Sequence, residues 1–297
     1  YGMVYRQQAY NPPIDTIKSS YYVDIPETEG LSEYSLRRVS SGAHLYGKNL
    51  VTSEVYTLGS TPYQCTPQFI KNGYDLMATS GVTNFFYHGL SSTYFGSEEA
   101  KAVEAYGENG WRGWPTIGIE VGSVNPIWPY FNNLNTYAAR ANYMMRQGTP
   151  SSDVAIYMPL FGSIQETDAV KTMNYNGYTY DAVNDDAIQN EFSYQDGKIV
   201  AATSGMTYDV LLIQDQTMPV ETINALNELA KQGAPIIFYG DLPNKQPSYA
   251  DGNYAALDQQ VVDAATAITT NYDNVTCVST MEEYTIALDQ NVTAPIS

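Results

Sequence analysis

The stretch Asn49-Leu-Val-Thr-Ser-Glu-Val-Tyr-Thr57 decides the fold of the first half of the chain. A β-strand is predicted here by the apolar and β-branched residues Leu50, Val51, Thr52, Val55 and Tyr56. Glu54 lies near the end of this strand, where a rigid backbone would present its carboxylate to a cleft. Just upstream, Ser41-Gly-Ala-His-Leu-Tyr-Gly47 supplies His44 as a polar group that could line the same cleft.

Strands and helices alternate through the rest of the first half. The pattern predicts strands over 1–8, 21–25, 50–57 and 82–88, the second of them ended by Pro26. A helix is predicted over 66–80, with Gly81 at its C-terminal cap. Alternation of this kind is typical of a parallel sheet with crossover helices. Each strand ends in polar or charged side chains, as strands do at the active-site end of a (β/α)₈ barrel.

Four such units make only half a barrel, and half a barrel leaves two open sheet edges. We therefore predict that residues 1–150 form the C-terminal half of a (β/α)₈ TIM-type barrel. The earlier strands are expected upstream of Tyr1, and the chain is expected to continue into further domains on both sides. Residues 111–129 lack periodicity and are interpreted as a long loop over the barrel mouth. A helix over 130–147 follows this loop.

The pattern changes at Pro150-Ser-Ser-Asp153. Continuous apolar strands are predicted beyond it, at 154–158, 210–213 and 236–239. Helices are predicted between and after these strands, at 219–232, 257–268 and 281–288. Continuous apolar strands that alternate with helices indicate a doubly wound parallel sheet. Residues 151–297 are therefore predicted to form a flavodoxin-like or glutamine-amidotransferase-like accessory domain, and the fold class of the whole chain is α/β.

Composition excludes some partners. The net charge is −18, with 14 Lys and Arg residues in 297, which argues against binding to nucleic acid or to anionic membranes. No apolar run reaches the length of a membrane span, so no membrane insertion is expected. The 27 tyrosines, the many polar uncharged residues and two N-glycosylation patterns, at Asn274 and Asn291, indicate a secreted, extracellular or periplasmic glycoprotein. Cys65 and Cys277 are interpreted as separate thiols. Nothing indicates an oligomeric state.

Several common catalytic signatures are absent, namely GxGxxG, GxxxxGK[ST], HExxH and GxSxG. The remaining candidates are carboxylates, aromatic rings and Arg6. Glycoside hydrolysis uses a pair of carboxyl groups, and we predict Glu54 and Glu27 for this chemistry. For Glu54, the alternative is a surface carboxylate in a salt bridge. Glu27 lies in an acidic group with Asp24 and Glu29 that could instead bind calcium or cap a turn.

Sugar binding requires polar groups and flat apolar rings. A lone histidine is more often structural than catalytic. Tryptophans in a mouth loop could stack on a sugar or pack the loop onto the barrel. With these alternatives left open, the predicted substrate-binding residues are Arg6, Tyr10, His44, His88, Trp111 and Trp114. No metal ligands are assigned.

The order of the motifs resembles that of a known family. The succession Arg6-Gln-Gln-Ala-Tyr10, Asp24-Ile-Pro-Glu-Thr-Glu29, Ser40-Ser-Gly-Ala-His-Leu-Tyr-Gly-Lys48, Val51-Thr-Ser-Glu-Val-Tyr-Thr57 and Phe86-Tyr-His-Gly89 resembles the α-L-rhamnosidases of glycoside hydrolase family 106. The segments from Tyr137-Ala-Ala-Arg140 to Asp153-Val-Ala-Ile-Tyr-Met-Pro159 are also similar to that family.

The resemblance implies an inverting hydrolase that removes terminal α-L-rhamnosyl units from polysaccharide or glycan, with calcium as the candidate cofactor. Glu54 matches the family's glutamate on the penultimate barrel strand. The second catalytic glutamate would lie on an earlier strand, in an Asp-Ser-x-Glu context that this chain lacks. Tyr10 stands where the family tends to have His. A tyrosine can donate a hydrogen bond there, but it does not titrate near neutrality.

Two functions are therefore carried forward. The first is a glycoside hydrolase whose catalytic barrel is only partly contained in this chain. The alternative is a non-catalytic carbohydrate-binding or surface-structural protein that descends from such an enzyme. A second carboxylate across the cleft from Glu54 would favour the hydrolase.

Overall fold

The computed structural model describes residues 2–8, 14–57, 63–88, 118–123, 125–160, 167–249 and 252–292. Two compact units are present. The first consists of Tyr1–Gln8, Ile25–Leu36 and Asn49–Gly148, and the second of Ala9–Asp24, Arg37–Lys48 and Thr149–Ser297. The assignment of residues 1–150 to half a barrel and of 151–297 to an accessory domain stays a prediction.

Parallel β-strands and α-helices alternate through most of the described chain. In chain order, the elements are β1 (Arg6–Gln8), α1 (Thr16–Tyr22), β2 (Ile25–Glu29), α2 (Glu33–Leu45), β3 (Thr52–Val55), α3 (Pro67–Thr79), β4 (Asn84–Tyr87), a 3₁₀ turn (Trp128–Tyr130), α4 (Phe131–Met145), β5 (Val154–Tyr157), α5 (Asp168–Asn176), β6 (Tyr180–Val183), a π-helical turn (Ala187–Glu191), β7 (Phe192–Gln195), β8 (Lys198–Ala201), β9 (Thr207–Tyr208), β10 (Val210–Ile213), α6 (Val220–Gln232), β11 (Ile236–Tyr239), α7 (Tyr254–Asn271), β12 (Val275–Val278) and α8 (Met281–Asn291).

The first unit contains a four-stranded parallel sheet in the order β1-β2-β3-β4. Sequential order with parallel pairing confirms the predicted strand–helix–strand pattern for β3, α3 and β4. Thr66 starts α3, because its side chain accepts a hydrogen bond from the backbone N–H of Phe69 and Pro67 follows at the first helical position. The sheet therefore forms from short strands whose helices begin at capping residues.

One face of this sheet packs against α3 and α4 through aromatic rings. Tyr74 stacks on Phe85 with ring centroids 4.4 Å apart, and Tyr87 meets Phe131 edge-on at 5.6 Å. The ring of Tyr56, just past β3, belongs to the same cluster, and its centroid lies 5.9 Å from that of Tyr87. Successive side chains on a strand point to opposite faces. Glu27, Glu29, Thr52 and Glu54 are therefore left on the other face.

The predicted strand over 21–25 is wrong. Residues Thr16–Tyr22 form α1, because Asp15 caps its first turn by accepting a hydrogen bond from the Lys18 N–H. The strand begins later, at Ile25, and runs through Pro26 rather than ending at it. The paired tyrosines suggested β-structure, but Tyr21 and Tyr22 are exposed on the last turn of the helix.

The second unit contains a five-stranded parallel sheet in the order β12-β11-β10-β5-β6. Its central strands β5 and β10 are buried along their whole length, as predicted from their continuous apolar sequences. Helices α5 and α8 pack together, and so do α6 and α7. A separate three-stranded antiparallel sheet, β7-β8-β9, was not predicted. None of the helices in the described ranges is both long and apolar enough to cross a bilayer.

Asp186, just after β6, joins α1 to the segment that follows α2 within the second unit. Its Oδ2 atom lies 2.6 Å from Lys18 Nζ in α1 and accepts a hydrogen bond of 2.7 Å from the hydroxyl of Tyr46, which follows α2. Its Oδ1 atom accepts a bond from Asn190. Burial alone would raise the pKa of Asp186, but the bonds from Lys18, Tyr46 and Asn190 lower it, and the net direction is down.

The side chain of Asn274, in the first predicted N-glycosylation pattern, makes structural hydrogen bonds. Its side-chain N–H groups donate to the carbonyls of Ala230 and Ala234, at 3.0 and 2.7 Å. A glycan on this nitrogen would remove donors that hold the C-terminal end of α6. Asn291, in the second pattern, donates one bond to Ala287 in its own helix. Glycosylation therefore stays a prediction, and the contacts of Asn274 oppose it at that position.

Gly73 in α3 provides a test of the aromatic packing. A Cβ atom there would lie 2.7 Å from the Tyr56 hydroxyl oxygen and 3.1 Å from its ring. Alanine normally stabilises a helix relative to glycine by roughly 1 kcal/mol, whereas overpacking of a core costs about 1–3 kcal/mol. We expect Gly73→Ala to lower the thermal unfolding midpoint, measured by circular dichroism. Asn72→Ala, at the exposed neighbouring position, is the control, and a Gly73→Ala protein as stable as wild type would contradict the packing.

Asp186→Asn should destabilise the protein by about 1–3 kcal/mol, because it weakens the charge-assisted bonds from Lys18 and Tyr46. A lowered carboxyl pKa contributes stability that is present above the ordinary carboxyl range and is lost as the pH falls through the folded-state pKa. The difference in unfolding free energy between wild type and variant should therefore shrink below about pH 4. Asp196→Asn, in an exposed hairpin turn, is the charge-matched control. A difference that stays constant with pH would count against the proposed coupling.

Candidate active site

The register of the first sheet places one group of its polar residues on a single face. Gln8 of β1 pairs in register with Glu27 of β2. Glu27 and Glu29 of β2 pair with Thr52 and Glu54 of β3. Residues at equivalent register positions of neighbouring strands share a face. Side chains that include two of the predicted acids are therefore brought together on the face opposite the aromatic cluster.

Glu54 is bound at both carboxylate oxygens. Its Oε1 atom lies 2.5 Å from His88 Nδ1, and its Oε2 atom accepts a hydrogen bond of 3.2 Å from Gln8 Nε2. The Glu54 side chain is 28% exposed. It is neither a free surface carboxylate nor a fully buried one. The two partners come from β1 and from the residue after β4, so neighbouring elements fix the carboxylate while solvent still reaches it.

Glu27 lies deeper and has different partners. Its Oε2 atom accepts a bond of 2.7 Å from Thr52 Oγ1 and lies 3.1 Å from Arg6 Nε. The Arg6 guanidinium also stacks on the Phe86 ring, with Cζ 4.4 Å from the centroid. Arg6 is half-exposed, whereas the Glu27 side chain is 7% exposed. Glu27 therefore holds Arg6 in place over the ring, and the donor groups of Arg6 that it does not bind extend towards solvent.

The backbone is strained immediately after Glu54 and Val55. Tyr56 has φ of 66°, which is the left-handed region that side chains other than glycine rarely adopt. It is held there because its ring is buried in the aromatic cluster and its hydroxyl donates to the Ile70 carbonyl at 2.5 Å. Burial also raises the pKa of the Tyr56 phenol. Strained residues of this kind are concentrated at functional sites, where surrounding packing maintains them.

Two buried polar atoms lie at the C-terminal ends of β3 and β4. His88 Nε2 and Thr57 Oγ1 have no hydrogen-bond partner in the described part of the chain. Most buried polar atoms in proteins are paired. Both atoms lie at the same end of the sheet as Glu54.

The acidic group after α1 does not fit a calcium site. Within the described ranges, no three His, Cys, Asp or Glu side chains are placed to hold a metal ion. Glu27, a member of this group, lies beside the Arg6 cation. Calcium ligands are oxygen atoms, and an adjacent guanidinium would repel the ion. Calcium therefore stays a prediction that these residues do not support.

His44 lies in the second unit. Its Nδ1 atom is 2.9 Å from Asp181 Oδ1, and Tyr208 donates to the other oxygen of that carboxylate. Burial alone would raise the pKa of Asp181, but the charge and bonding of His44 lower it, and the net direction is down. This geometry corresponds to the structural role that a lone histidine usually has. The predicted role of His44 in sugar binding stays a prediction.

Three predicted binding residues, Tyr10, Trp111 and Trp114, lie outside the described residues. Trp128, the remaining tryptophan, packs on Phe131 with ring centroids 5.4 Å apart. For this one ring, packing within the first unit is therefore the observed role.

Sequence reasoning missed Gln8. The signal that could have found it is alternation in β1, because residues two apart on a strand share a face and Arg6 was already a candidate.

Comparison with known proteins gives a family, a relative and similar folds. The model of the family described as alpha-L-rhamnosidase matches residues 17–294. A protein of Formosa agariphila that carries the provisional name beta-glucuronidase is 26% identical over 268 residues, which cover 88% of this chain and 21% of that protein. The chain therefore spans about a fifth of the length of that relative.

Two solved structures share the fold. A rhamnosidase from Novosphingobium sp. PP1Y has a TM-score of 0.66 at 18% identity, over 92% of this chain and 26% of that one. An exo-carrageenase of glycoside hydrolase family 42 from Bacteroides ovatus has a TM-score of 0.51 at 11% identity, over 93% and 38%. The α/β fold with parallel sheets is thus similar to that of glycoside hydrolase barrel enzymes.

The resemblance identified from the motifs is confirmed, since the family model covers nearly the whole chain and includes β2, β3 and β4. Together with the rhamnosidase fold, the match supports an enzyme. The chain belongs to glycoside hydrolase family 106, the alpha-L-rhamnosidase family.

Proposed function

We propose that this chain forms part of an inverting α-L-rhamnosidase that hydrolyses terminal rhamnosyl units, with Glu54 as the catalytic base. The observation that carries the proposal is the Glu54 carboxylate, held between His88 and Gln8 at a strand end and still open to water. The family membership supports the same reaction class.

An inverting glycosidase needs a carboxylate that activates water on one face of the sugar and an acid that protonates the leaving oxygen on the other. Glu54 suits the first role, because each of its oxygens has a second lone pair beyond the bonds from His88 and Gln8. A water molecule could be bound there and deprotonated during attack. The fixed orientation of the carboxylate limits the reorganisation needed to reach the transition state.

Glu27 suits a positioning role better than that of the acid. Its Oε2 atom accepts bonds from both Arg6 and Thr52, so that atom is committed as an acceptor. In this proposal, Glu27 holds Arg6, Arg6 binds sugar hydroxyls, and His88 orients Glu54. The acid is supplied by a part of the protein outside this chain, which spans about a quarter of the similar rhamnosidase. This placement agrees with the resemblance, which puts the second glutamate on an earlier barrel strand.

The fold of each unit fits this reading. The four-stranded sheet has the sequential parallel order of adjacent barrel strands, with polar groups at one end. Numbered within the second unit's parallel sheet, the strand order is 2-1-3-4-5, which is the flavodoxin-like doubly wound order. We therefore propose half a barrel and a doubly wound accessory domain. A secreted or periplasmic location also belongs to the proposal, because it is where polysaccharide substrates are met.

A β-glucuronidase is the second candidate, and it is favoured only by the name of the Formosa relative. The charges on the described face argue against it. A glucuronyl unit carries a negative charge, and the face presents Glu27, Glu29 and Glu54 with Arg6 already paired to Glu27. Like charges placed together disfavour binding.

Replacement of Glu54 by glutamine in the complete protein should lower kcat/KM on an aryl α-L-rhamnoside by roughly 10²–10⁴-fold, because the amide cannot take a proton from water. The substitution is nearly isosteric, so the unfolding midpoint should stay close to that of wild type. Glu228→Gln, at an exposed position of α6, is the matched control. Turnover of the Glu54→Gln enzyme within tenfold of wild type would rule out the base assignment.

Substrate choice and stereochemistry can be tested with the wild-type protein. We expect hydrolysis of an aryl α-L-rhamnoside at least 100-fold faster, in kcat/KM, than of the matching aryl β-D-glucuronide. Proton NMR of the first-formed product should show β-L-rhamnose, the inverted anomer. A preference for the glucuronide would replace the proposed substrate, and an α-anomer as first product would indicate a retaining mechanism.

A further inference from the structure

We propose that Gln8 is a positioning residue for Glu54, and that its side-chain amide fixes the Oε2 atom of the catalytic base. The inference rests on the proposed function, because it concerns the carboxylate assigned there as the base. It adds a residue that was not among the predicted site residues and that lies outside the family match over 17–294.

The contact is made across an intervening strand. Gln8 is in β1 and Glu54 is in β3, and β2 lies between them. Strands two places apart in a sheet are separated by roughly 9–10 Å. Both side chains must therefore extend across β2 for Gln8 Nε2 to come within 3.2 Å of Glu54 Oε2. Asparagine, one methylene shorter, would not reach.

The orientation of the amide follows from its partner. A carboxylate accepts hydrogen bonds, so the group of Gln8 that faces Glu54 must be the NH₂ donor. The Gln8 oxygen is then directed away from Glu54. Gln8 is the donor to Oε2, whereas His88 is the partner of Oε1. Gln8 and His88 together fix both oxygens and thus the plane of the carboxylate.

β1 gives each of the two acids a different partner. Arg6 brings a cation to Glu27, and Gln8 brings a neutral donor to Glu54. The charged or titratable groups that share this face with Glu54 are Arg6, Glu27, Glu29 and His88.

The test replaces Gln8 by methionine, which has a similar length and no donor, in the complete protein. We expect kcat on an aryl α-L-rhamnoside to fall roughly 10- to 100-fold, the effect of losing one bond to a charged group. KM should change less than threefold. The acid limb of the kcat/KM profile should move to higher pH, because the ionised base has lost a donor. Gln7→Met is the control, since Gln7 is in the same strand but on the opposite face.

Gln8→Lys restores a hydrogen-bond donor at this position. It therefore distinguishes a loss of activity caused by the missing donor from one caused by altered packing. Its kcat should recover to within about threefold of wild type, with the acid limb moved back to or below the wild-type position. If Gln8→Met does not fold, the lysine variant alone decides. The proposal is overturned if the activity of Gln8→Lys is as low as that expected for methionine, or if the acid limb of Gln8→Met stays at the wild-type position.

The two proposals fail in distinguishable ways. Loss of activity in Glu54→Gln with wild-type kcat and pH profile in Gln8→Met overturns only the role of Gln8. Retained activity in Glu54→Gln overturns the base assignment, and the role of Gln8 is overturned with it.

Discussion

The carboxylate of Glu54, bound on one oxygen by His88 and on the other by Gln8, is the interaction on which the candidate site depends. It exists because parallel register puts residues of β1, β3 and β4 on one face of the sheet. The sheet hydrogen bonds determine which side chains are neighbours, and those neighbours orient the carboxylate. A shift of one residue in β3 would move Glu54 to the opposite face, among the aromatic rings.

The opposite face of the same sheet maintains this arrangement. The backbone of Tyr56 has an unfavourable φ because its ring packs between Gly73, Tyr74 and Tyr87. The ring fits there because Gly73 has no side chain. Such backbone strain costs on the order of 1–3 kcal/mol and persists only when the surrounding packing outweighs it. The chain thus changes direction immediately after the strand that carries Glu54. The packing of Tyr56 on one face of the sheet and the position of Glu54 on the other are therefore coupled, because only Val55 separates the two residues in the chain.

The second unit uses carboxylates for structure. Asp186 holds α1 and Tyr46, and Asp181 holds His44 and Tyr208. In both cases the partners lower the carboxyl pKa against the effect of burial. Other acidic residues of the described ranges, such as Glu228, are exposed on the surface. The environment of a carboxylate therefore differs between the pair at the proposed site, the buried structural bonds and the surface, and residue type alone does not distinguish them.

The sequence by itself determined the α/β class, the apolar strands β5, β10 and β11, the helices around them and the family, and it predicted Glu54 as the principal acid. These follow from local periodicity and from motifs, which are properties of neighbouring residues in the chain. Residues 21–25 were misassigned from the sequence, because tyrosine favours β-structure but also occurs at helix ends. Only the tertiary structure showed that His44 bonds to Asp181, that Glu27 holds Arg6, and that Gln8 reaches Glu54. Those partners lie between 21 and 137 positions apart, and strand register and packing, not local preference, decide such pairings.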